Sequence, residues 1–171
     1  METITHNLVA IVIQIYCFTI FVFPLNIILT IIFAFLSHVV FDAISVITYH
    51  TPDIQKGDRF WLIWHIIIYV ISILSVIVFI VPYWLSLISA NIHDIWDWYI
   101  LRPIQRRRER KGLKVWGKKL FFHRFVDWVR DNFFSWLPRW NYKKGGIIIE
   151  ILVIIGFLIW ILLLNGFSFL F

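Results

Sequence analysis

The sequence contains few charged residues and a single cysteine. Only 15% of its 171 residues are charged and 61% are apolar, whereas soluble domains are nearer half apolar and a quarter charged. A core built from a chain of this length cannot bury so much apolar surface, so the excess must face lipid. The single cysteine, Cys17, excludes an intramolecular disulfide. The composition therefore excludes a soluble globule, a disordered chain and a disulfide scaffold.

Basic residues are nearly absent outside one segment of the chain. Of the 16 lysines and arginines, only Lys56 and Arg59 lie outside residues 102–144, which therefore hold the other 14. Basic loops stay on the cytoplasmic side of a membrane, and their mixture with Trp and Phe favours anionic lipid headgroups over nucleic acid. We expect the lipid bilayer as the partner, and no nucleic acid.

The long apolar runs predict an all-α integral membrane protein with about five transmembrane helices. Residues 60–101 would be about 63 Å long as one helix, twice the thickness of the hydrocarbon core, so we expect two helices with a break at Pro82. The predicted spans are residues 7–23, 27–49, 62–81, 83–101 and 147–171. Residues 118–137 predict an amphipathic helix in the membrane interface.

The position of the basic residues also predicts the orientation of the chain. We expect a single membrane domain over residues 1–171, in which residues 102–145 form a cytoplasmic or interfacial segment between the fourth and fifth spans. The N-terminus and the loop at residues 51–59 are then cytoplasmic, and the C-terminus is outside. Glu150, at the start of the last span, is expected to reach the headgroups.

Three pairs of histidine and aspartate share one spacing. His38 precedes Asp42 by four residues, and His93/Asp97 and His123/Asp127 repeat the pattern. An ionisable group within a span costs about 2.5 to 3.5 kcal/mol on insertion scales, so each one needs a reason. Residues four apart lie one helical turn apart, so each pair is expected to point both side chains the same way.

The expected topology places these pairs and other ionisable residues at one depth. His6 begins the first span, His50 follows the second, and Asp94 lies beside His93 in the fourth. Several elements that deliver imidazoles and carboxylates to one layer are typical of a divalent cation site. Such donors favour Zn²⁺, Mn²⁺ or Fe²⁺, and their number leaves room for two ions. A single pair is also typical of a structural hydrogen bond between helices.

The same residues resemble a known family. The early Thr5-His6, the Leu36-x-His38-x-x-x-Asp42 helix and the Asp94-x-x-Asp97 helix look like small multi-spanning membrane proteins. More distantly they resemble the membrane-bound metal-dependent hydrolases, with the motifs in a permuted order. His123-Arg124 is similar to the start of a His-Arg motif of that family. The resemblance implies a bound metal and, by analogy, hydrolysis.

We therefore expect a metal-dependent hydrolase that acts at the cytoplasmic leaflet on a phosphoester or lipid-linked substrate. His50, His93 and Asp127 are expected in proton transfer, and Arg124 is expected to hold an anionic group of the substrate. The alternative is a non-enzymatic accessory subunit or lipid-interacting scaffold whose polar residues only join helices. A transporter would need polar residues along the full depth, whereas the outer halves are aliphatic. The predicted metal ligands are His6, His38, Asp42, Asp94, Asp97 and His123.

Overall fold

The computed structural model describes residues 1–51, 55, 57–113 and 121–164. Over these residues the chain is helical and contains no strand. A 3-10 turn, Ser45–Ile47, extends α2, and a π-helix, Ile95–Leu101, joins α3 to α4. The α-helices are α1 (Thr3–Ile20), α2 (Leu25–Ile44), α3 (Arg59–Asp94), α4 (Arg102–Arg110), α5 (Phe121–Phe133) and α6 (Gly146–Leu164).

Four helices in the described part of the chain are long and apolar enough to cross a membrane. They are Thr3–Ile20, Leu25–Ile47, Arg59–Arg110 and Gly146–Leu164. The predicted all-α architecture of an integral membrane protein is thus confirmed, while the number of about five spans is not confirmed by this count. α1 is the central helix, with 61% of its residues buried against α2, α3 and α6, and α6 is peripheral, with 11% buried.

α3 changes direction sharply at the predicted break. Pro82 lies inside this helix, and Tyr83 has a non-helical backbone conformation with φ −125° and ψ 25°. Asn7 of α1 donates to Ser75 Oγ at 2.9 Å, and its own Oδ1 accepts from Asn91 Nδ2 at 2.8 Å. In a straight helix Ser75 and Asn91 would be about 24 Å apart, so the two halves of α3 fold back side by side.

One side chain of α1 satisfies the backbone groups that this break releases. In a regular helix the Ser86 N–H would donate to the carbonyl of Pro82. Instead, the Gln14 amide bridges them: Nε2 donates to the Pro82 carbonyl at 3.1 Å, and Oε1 accepts from Ser86 N at 3.0 Å. Broken helices persist within a membrane when neighbouring side chains supply such replacements. Gln14 therefore fixes α1 against the bend.

α5 covers the end of the bundle where α2 ends. Val126 is its one buried residue, and it packs with Val39 and Ala43 of α2. Aromatic residues on its other side, such as Phe121 and Trp128, are exposed. The predicted interfacial helix, residues 118–137, therefore overlaps α5, and residues 118–120 lie outside the described part.

α6 approaches the turn after α2 very closely. A Cβ atom on Gly146 would lie 2.6 Å from the backbone nitrogen of Tyr49, so only glycine fits this contact. Glu150, one turn later, is 1% exposed and accepts hydrogen bonds from Glu2 N at 3.1 Å and from the Thr5 hydroxyl. The expectation that Glu150 reaches the headgroups is therefore wrong, because its carboxylate has polar partners on α1. Residues 165–171 of the predicted last span lie outside the described residues.

Candidate metal centre

Three helices place ionisable side chains at one end of the bundle. α1 begins there with His6 in its first turns, α2 ends there with His38 and Asp42, and the second half of α3 ends there with His93 and Asp94. Because α1 runs away from this end while the other two run toward it, the side chains meet at the same level. The convergence expected from the sequence is present in the fold.

His6, His38 and Asp42 form the tightest group. His6 Nε2 donates to Asp42 Oδ1 at 2.9 Å, and His38 Nε2 lies 3.2 Å from Asp42 Oδ2. One donor atom of each residue lies within 4.8 Å of the others. Two donors that each lie about 2.0 to 2.2 Å from one ion are at most about 4.4 Å apart. The donor types therefore suit a divalent cation, and donors as far as 4.8 Å apart would have to close by about 0.4 Å to reach a shared ion. Asp42 Oδ1 also lies 3.0 Å from the Met1 nitrogen.

The imidazoles of this group belong to a longer column of rings. His6 stacks on His38 with ring centroids 3.9 Å apart, and His38 stacks on His93 at 4.6 Å. Phe35 of α2 closes the column against His93 at 3.9 Å. The three imidazoles are 0 to 2% exposed. His38 and His93 are packed on both faces, which holds these rings in place and leaves their edges for polar contacts.

Several nitrogens on these edges have no hydrogen-bond partner in the described part of the chain. They are His6 Nδ1, His38 Nδ1 and His93 Nε2, whereas His38 Nε2 faces Asp42 Oδ2 at 3.2 Å. His93 Nδ1 faces the carbonyl of Ala90 at 3.4 Å. A buried polar atom without a partner is costly, and most native proteins satisfy such atoms with protein, water or an ion. Such nitrogens need a further partner, such as a water molecule or an ion.

Asp94 extends the cluster from α2 to α5. Its Oδ1 lies 3.8 Å from His38 Nε2 and also 3.8 Å from His123 Nε2. Asp94 and His123 are both about 30% exposed, whereas His38 is buried. The cluster thus runs from an enclosed end at His6 and His38 to an accessible end at Asp94 and His123.

Asp97 has a different environment from the other carboxylates. It is fully buried, and its Oδ1 accepts from Phe121 N at 3.1 Å. Its Oδ2 accepts from Phe122 N at 2.9 Å, from His123 N at 3.0 Å and from His123 Nδ1 at 2.8 Å. A carboxylate has about four acceptor positions, and here four donors occupy them. Asp97 therefore holds the N-terminus of α5, where the helix dipole favours a negative charge, and fixes the His123 ring.

The other three predicted site residues lie around this cluster. His50 is about half exposed, and its Nδ1 lies 3.3 Å from Glu2 Oε1. Asp127 pairs with Arg130 Nη1 at 2.8 Å, and Arg130 also donates to the Ala43 carbonyl at the end of α2. Arg124 is exposed on α5, next to His123. The structure thus gathers His93 with the predicted ligands and places His50, Asp127 and Arg124 outside the cluster.

His50 affects the pKa of Glu2 at the edge of the cluster. Burial raises the pKa of the Glu2 carboxyl, but its hydrogen bond and electrostatic interaction with His50 lower the pKa by more, so the net pKa lies below the ordinary value. Glu2 therefore contributes stability above its unfolded pKa, and this contribution is lost as the pH falls through the lower folded value.

Sequence reasoning missed Phe35 and the link from Glu150 to the first turn of α1. Phe35 lies three residues before His38 and was indistinguishable from the other apolar residues of its span. Glu150 carried a detectable signal, because a carboxylate in an otherwise aliphatic helix needs a buried partner. Its partners on α1, 145 residues away along the chain, could not be read from spacing.

Comparisons with known proteins identify no relative. No family model matches the chain, and searches of curated proteins and of solved structures found no significant match. The resemblance to membrane-bound metal-dependent hydrolases therefore stays a prediction.

Proposed function

We propose that this chain is a metal-dependent membrane hydrolase that cleaves a phosphoester or another lipid-linked substrate. The observation that carries this proposal is the largely buried group of His6, His38 and Asp42 at one end of the bundle, with Asp94 and His123 beside it. Imidazole and carboxylate donors brought together from separate helices are the ligands that divalent transition metals take.

His6, His38 and Asp42 would hold one ion, and Asp94 and His123 supply the donors for a second ion beside it. Mixed imidazole and carboxylate ligands favour Zn²⁺, Mn²⁺ or Fe²⁺. When bound, such an ion lowers the pKa of a coordinated water and polarises a phosphoryl or carbonyl oxygen.

The remaining residues position groups and hold protons. Asp97 accepts from His123 Nδ1 and so directs Nε2 of that ring toward Asp94, as carboxylates do for metal-ligating histidines. We therefore assign Asp97 as a positioning residue and not as a ligand. His93 Nε2, buried and unpaired beside His38, is placed to hold a proton during the reaction. His50 and Asp127 contact Glu2 and Arg130 instead.

Two arginines near the accessible end suit an anionic substrate. Arg102 stacks over Trp98 at 4.3 Å, and the Trp98 ring meets His123 edge-on at 5.7 Å. Arg124 follows His123 on the exposed side of α5. A guanidinium at either position would attract a phosphate group. This arrangement supports a phosphoester substrate over a neutral one.

The orientation proposed from the sequence places this end of the bundle in the cytoplasmic leaflet. α4 holds most of a basic run and directly follows the π-helix that contains Asp97, so the basic residues and the cluster share one end. Basic segments remain cytoplasmic. The N-terminus would then be cytoplasmic and the C-terminus outside.

Metal analysis of the purified full chain tests the proposal. After loading with Zn²⁺ or Mn²⁺ and removal of free ions, the wild type should retain one or two ions per chain, and Asp42→Asn should retain far less. Asp127→Asn is the matched control, because Asp127 has the same spacing from a histidine but lies outside the cluster, and it should retain the wild-type content. Equal, near-zero content in the wild type and in an Asp42→Ala/Asp97→Ala variant would remove the hypothesis.

Hydrolysis is measured on the same proteins. With phosphatidic acid in mixed micelles as the probe, release of inorganic phosphate should require the added ion and should be lost in Asp42→Asn. It should be kept in Asp127→Asn. Metal retention without release of phosphate would retain the cation centre and exclude this phosphomonoester as the substrate.

A non-enzymatic accessory role is the second candidate, and one observation favours it. α1 already uses Asn7 and Gln14 to join α3 by hydrogen bonds, so polar residues in this bundle do act as structural contacts. If His38 and Asp42 had the same role, alanine substitutions would lower the melting temperature and chelators would have no effect.

A further inference from the structure

An apolar groove leads directly away from the cluster. It lies between α2 and the second half of α3, has a volume of about 310 Å³, and is lined almost entirely by aliphatic and aromatic side chains. This volume lies at the lower end of the range for small-molecule sites, which are mostly apolar with a few polar groups at one end. Here the end of the groove at Phe35 and Phe122 lies against the histidine column.

Two aromatic residues join the groove to the cluster. Phe35 lines the groove and packs against His93 at 3.9 Å, and Phe122 of α5 lines it and meets the same ring edge-on at 4.9 Å. The backbone of Phe122 is held by Asp97. The inner end of the groove is thus built by residues that also fix the candidate metal centre.

The groove runs in the direction of a lipid tail. Ile31 on α2 lies seven residues before His38, about 10 Å farther from the cluster along the helix axis. Ile88 on α3 lies five residues before His93, about 8 Å farther along the second wall. Both walls therefore lead from the level of the histidines toward the middle of the bilayer. A lipid whose headgroup lies at the level of the cluster would have its hydrocarbon chain along the same direction.

We propose that this groove binds one acyl chain of an anionic phospholipid substrate and so places its headgroup linkage at Asp94 and His123, the accessible end of the cluster. The inference rests on the proposed function and adds the substrate class. The apolar walls suit the chain, while Arg102 on Trp98 and Arg124 beside His123 supply positive charge near the accessible end of the cluster for the negative headgroup. A lipid that only surrounds the protein would have no preference for this groove over other apolar faces.

Photochemical labelling tests the chain site. The full chain is reconstituted in phosphatidylcholine nanodiscs that contain phosphatidic acid with a diazirine on one acyl chain, and the labelled residues are mapped by mass spectrometry. Labels should concentrate on Ile31, Ile88 and their neighbours in the groove. Excess unlabelled phosphatidic acid should reduce this labelling more than phosphatidylcholine does. Labels spread evenly over the lipid-facing residues would show ordinary surrounding lipid and overturn the inference.

Two tryptophan variants provide a matched comparison, because one fills the groove and the other leaves it open. Ile88→Trp places a larger ring in the groove and should reduce labelling there about tenfold, the effect of about 1.4 kcal/mol of lost interaction. Ile73→Trp adds the same side chain at another exposed position of α3 and should leave groove labelling unchanged. Equal labelling in both variants would overturn the inference, and the wild-type map answers the question if Ile88→Trp does not fold.

A third variant separates this inference from the proposed hydrolysis. Asp42→Asn removes a ligand of the candidate ion but leaves every lining residue of the groove in place. Groove labelling that persists in Asp42→Asn supports a chain site that is independent of metal. If the wild type binds no metal and the groove is still labelled selectively, the hydrolase proposal fails and the lipid site stands.

Discussion

The pairs His38/Asp42, His93/Asp97 and His123/Asp127 have the same spacing, yet each ends in a different arrangement. In the first pair the two side chains face each other, with His38 Nε2 3.2 Å from Asp42 Oδ2. Asp97 turns away from His93 to the N-terminus of α5, where it pairs with His123 at 2.8 Å. The third aspartate pairs with Arg130 on its own helix. Of the three pairs, only His38 and Asp42 are shown in contact with each other.

Local helix geometry and neighbouring elements explain these differences. His38 and Asp42 lie within a regular α-helix, where a spacing of four residues stacks one side chain above the other. π-helical hydrogen bonding begins at Ile95, between His93 and Asp97, so this second pair no longer has α-helical geometry. Asp97 then meets the unsatisfied N–H groups of α5. A spacing pattern thus predicts a shared face only where the helix stays regular.

Replacing Asp97, the aspartate of the second pair, should have the largest effect on stability. Asp97→Ala leaves three backbone N–H groups and the His123 ring without their acceptor, and breaking a buried charged contact typically costs about 3 to 5 kcal/mol. We expect this loss in detergent unfolding, together with faster hydrogen exchange of the amides of residues 121–123. Unchanged exchange at these amides would contradict the role of Asp97 at the start of α5. Asp97→Asn, which keeps the volume, should lose less.

Much of the architecture followed from the sequence, because burial of an apolar helix in lipid depends on composition alone. The break at Pro82 was predictable for the same kind of reason, since proline lacks the N–H that a continuous helix needs. The convergence of His6, Asp42 and His93 followed from alternating chain direction. Each of these inferences uses only local chemistry and helix length.

The detailed partners did not follow from the sequence, because they depend on contacts between distant segments. The role of Asp97 depends on where α5 begins, 24 residues later. Gln14 replaces the backbone hydrogen bond that is lost at the bend in α3, and this depends on the packing of α1 against α3. Neither a π-helix nor a bridging amide has a distinct sequence signature, so the different contacts of Asp42 and Asp97 could be distinguished only in the structure.

Removing the proposed ion should sharpen the comparison between the first and third pairs. If the centre is saturated at one hundred times the dissociation constant, chelation should lower the free energy of unfolding by about 2.7 kcal/mol. The wild type and Asp127→Asn should both show this drop in thermal unfolding with and without EDTA, and Asp42→Asn should show none. A wild-type protein whose thermal unfolding is the same with and without EDTA would favour the accessory role, in which the histidines only join helices.

The third pair should give the smallest effect, because its aspartate lies at the surface. Asp127 is 39% exposed and Arg130 is 26% exposed, and such partly exposed ion pairs contribute less than about 1 kcal/mol. Asp127→Ala should therefore change the unfolding free energy by less than this amount and leave the metal content unchanged. Arg130→Ala should cost more than Asp127→Ala, because Arg130 also donates to the Ala43 and Asp42 carbonyls at the end of α2. Loss of metal in Asp127→Ala would mean that the His123/Asp127 pair is part of the metal centre. The four-residue spacing would then identify metal ligands that the contacts in the structure do not.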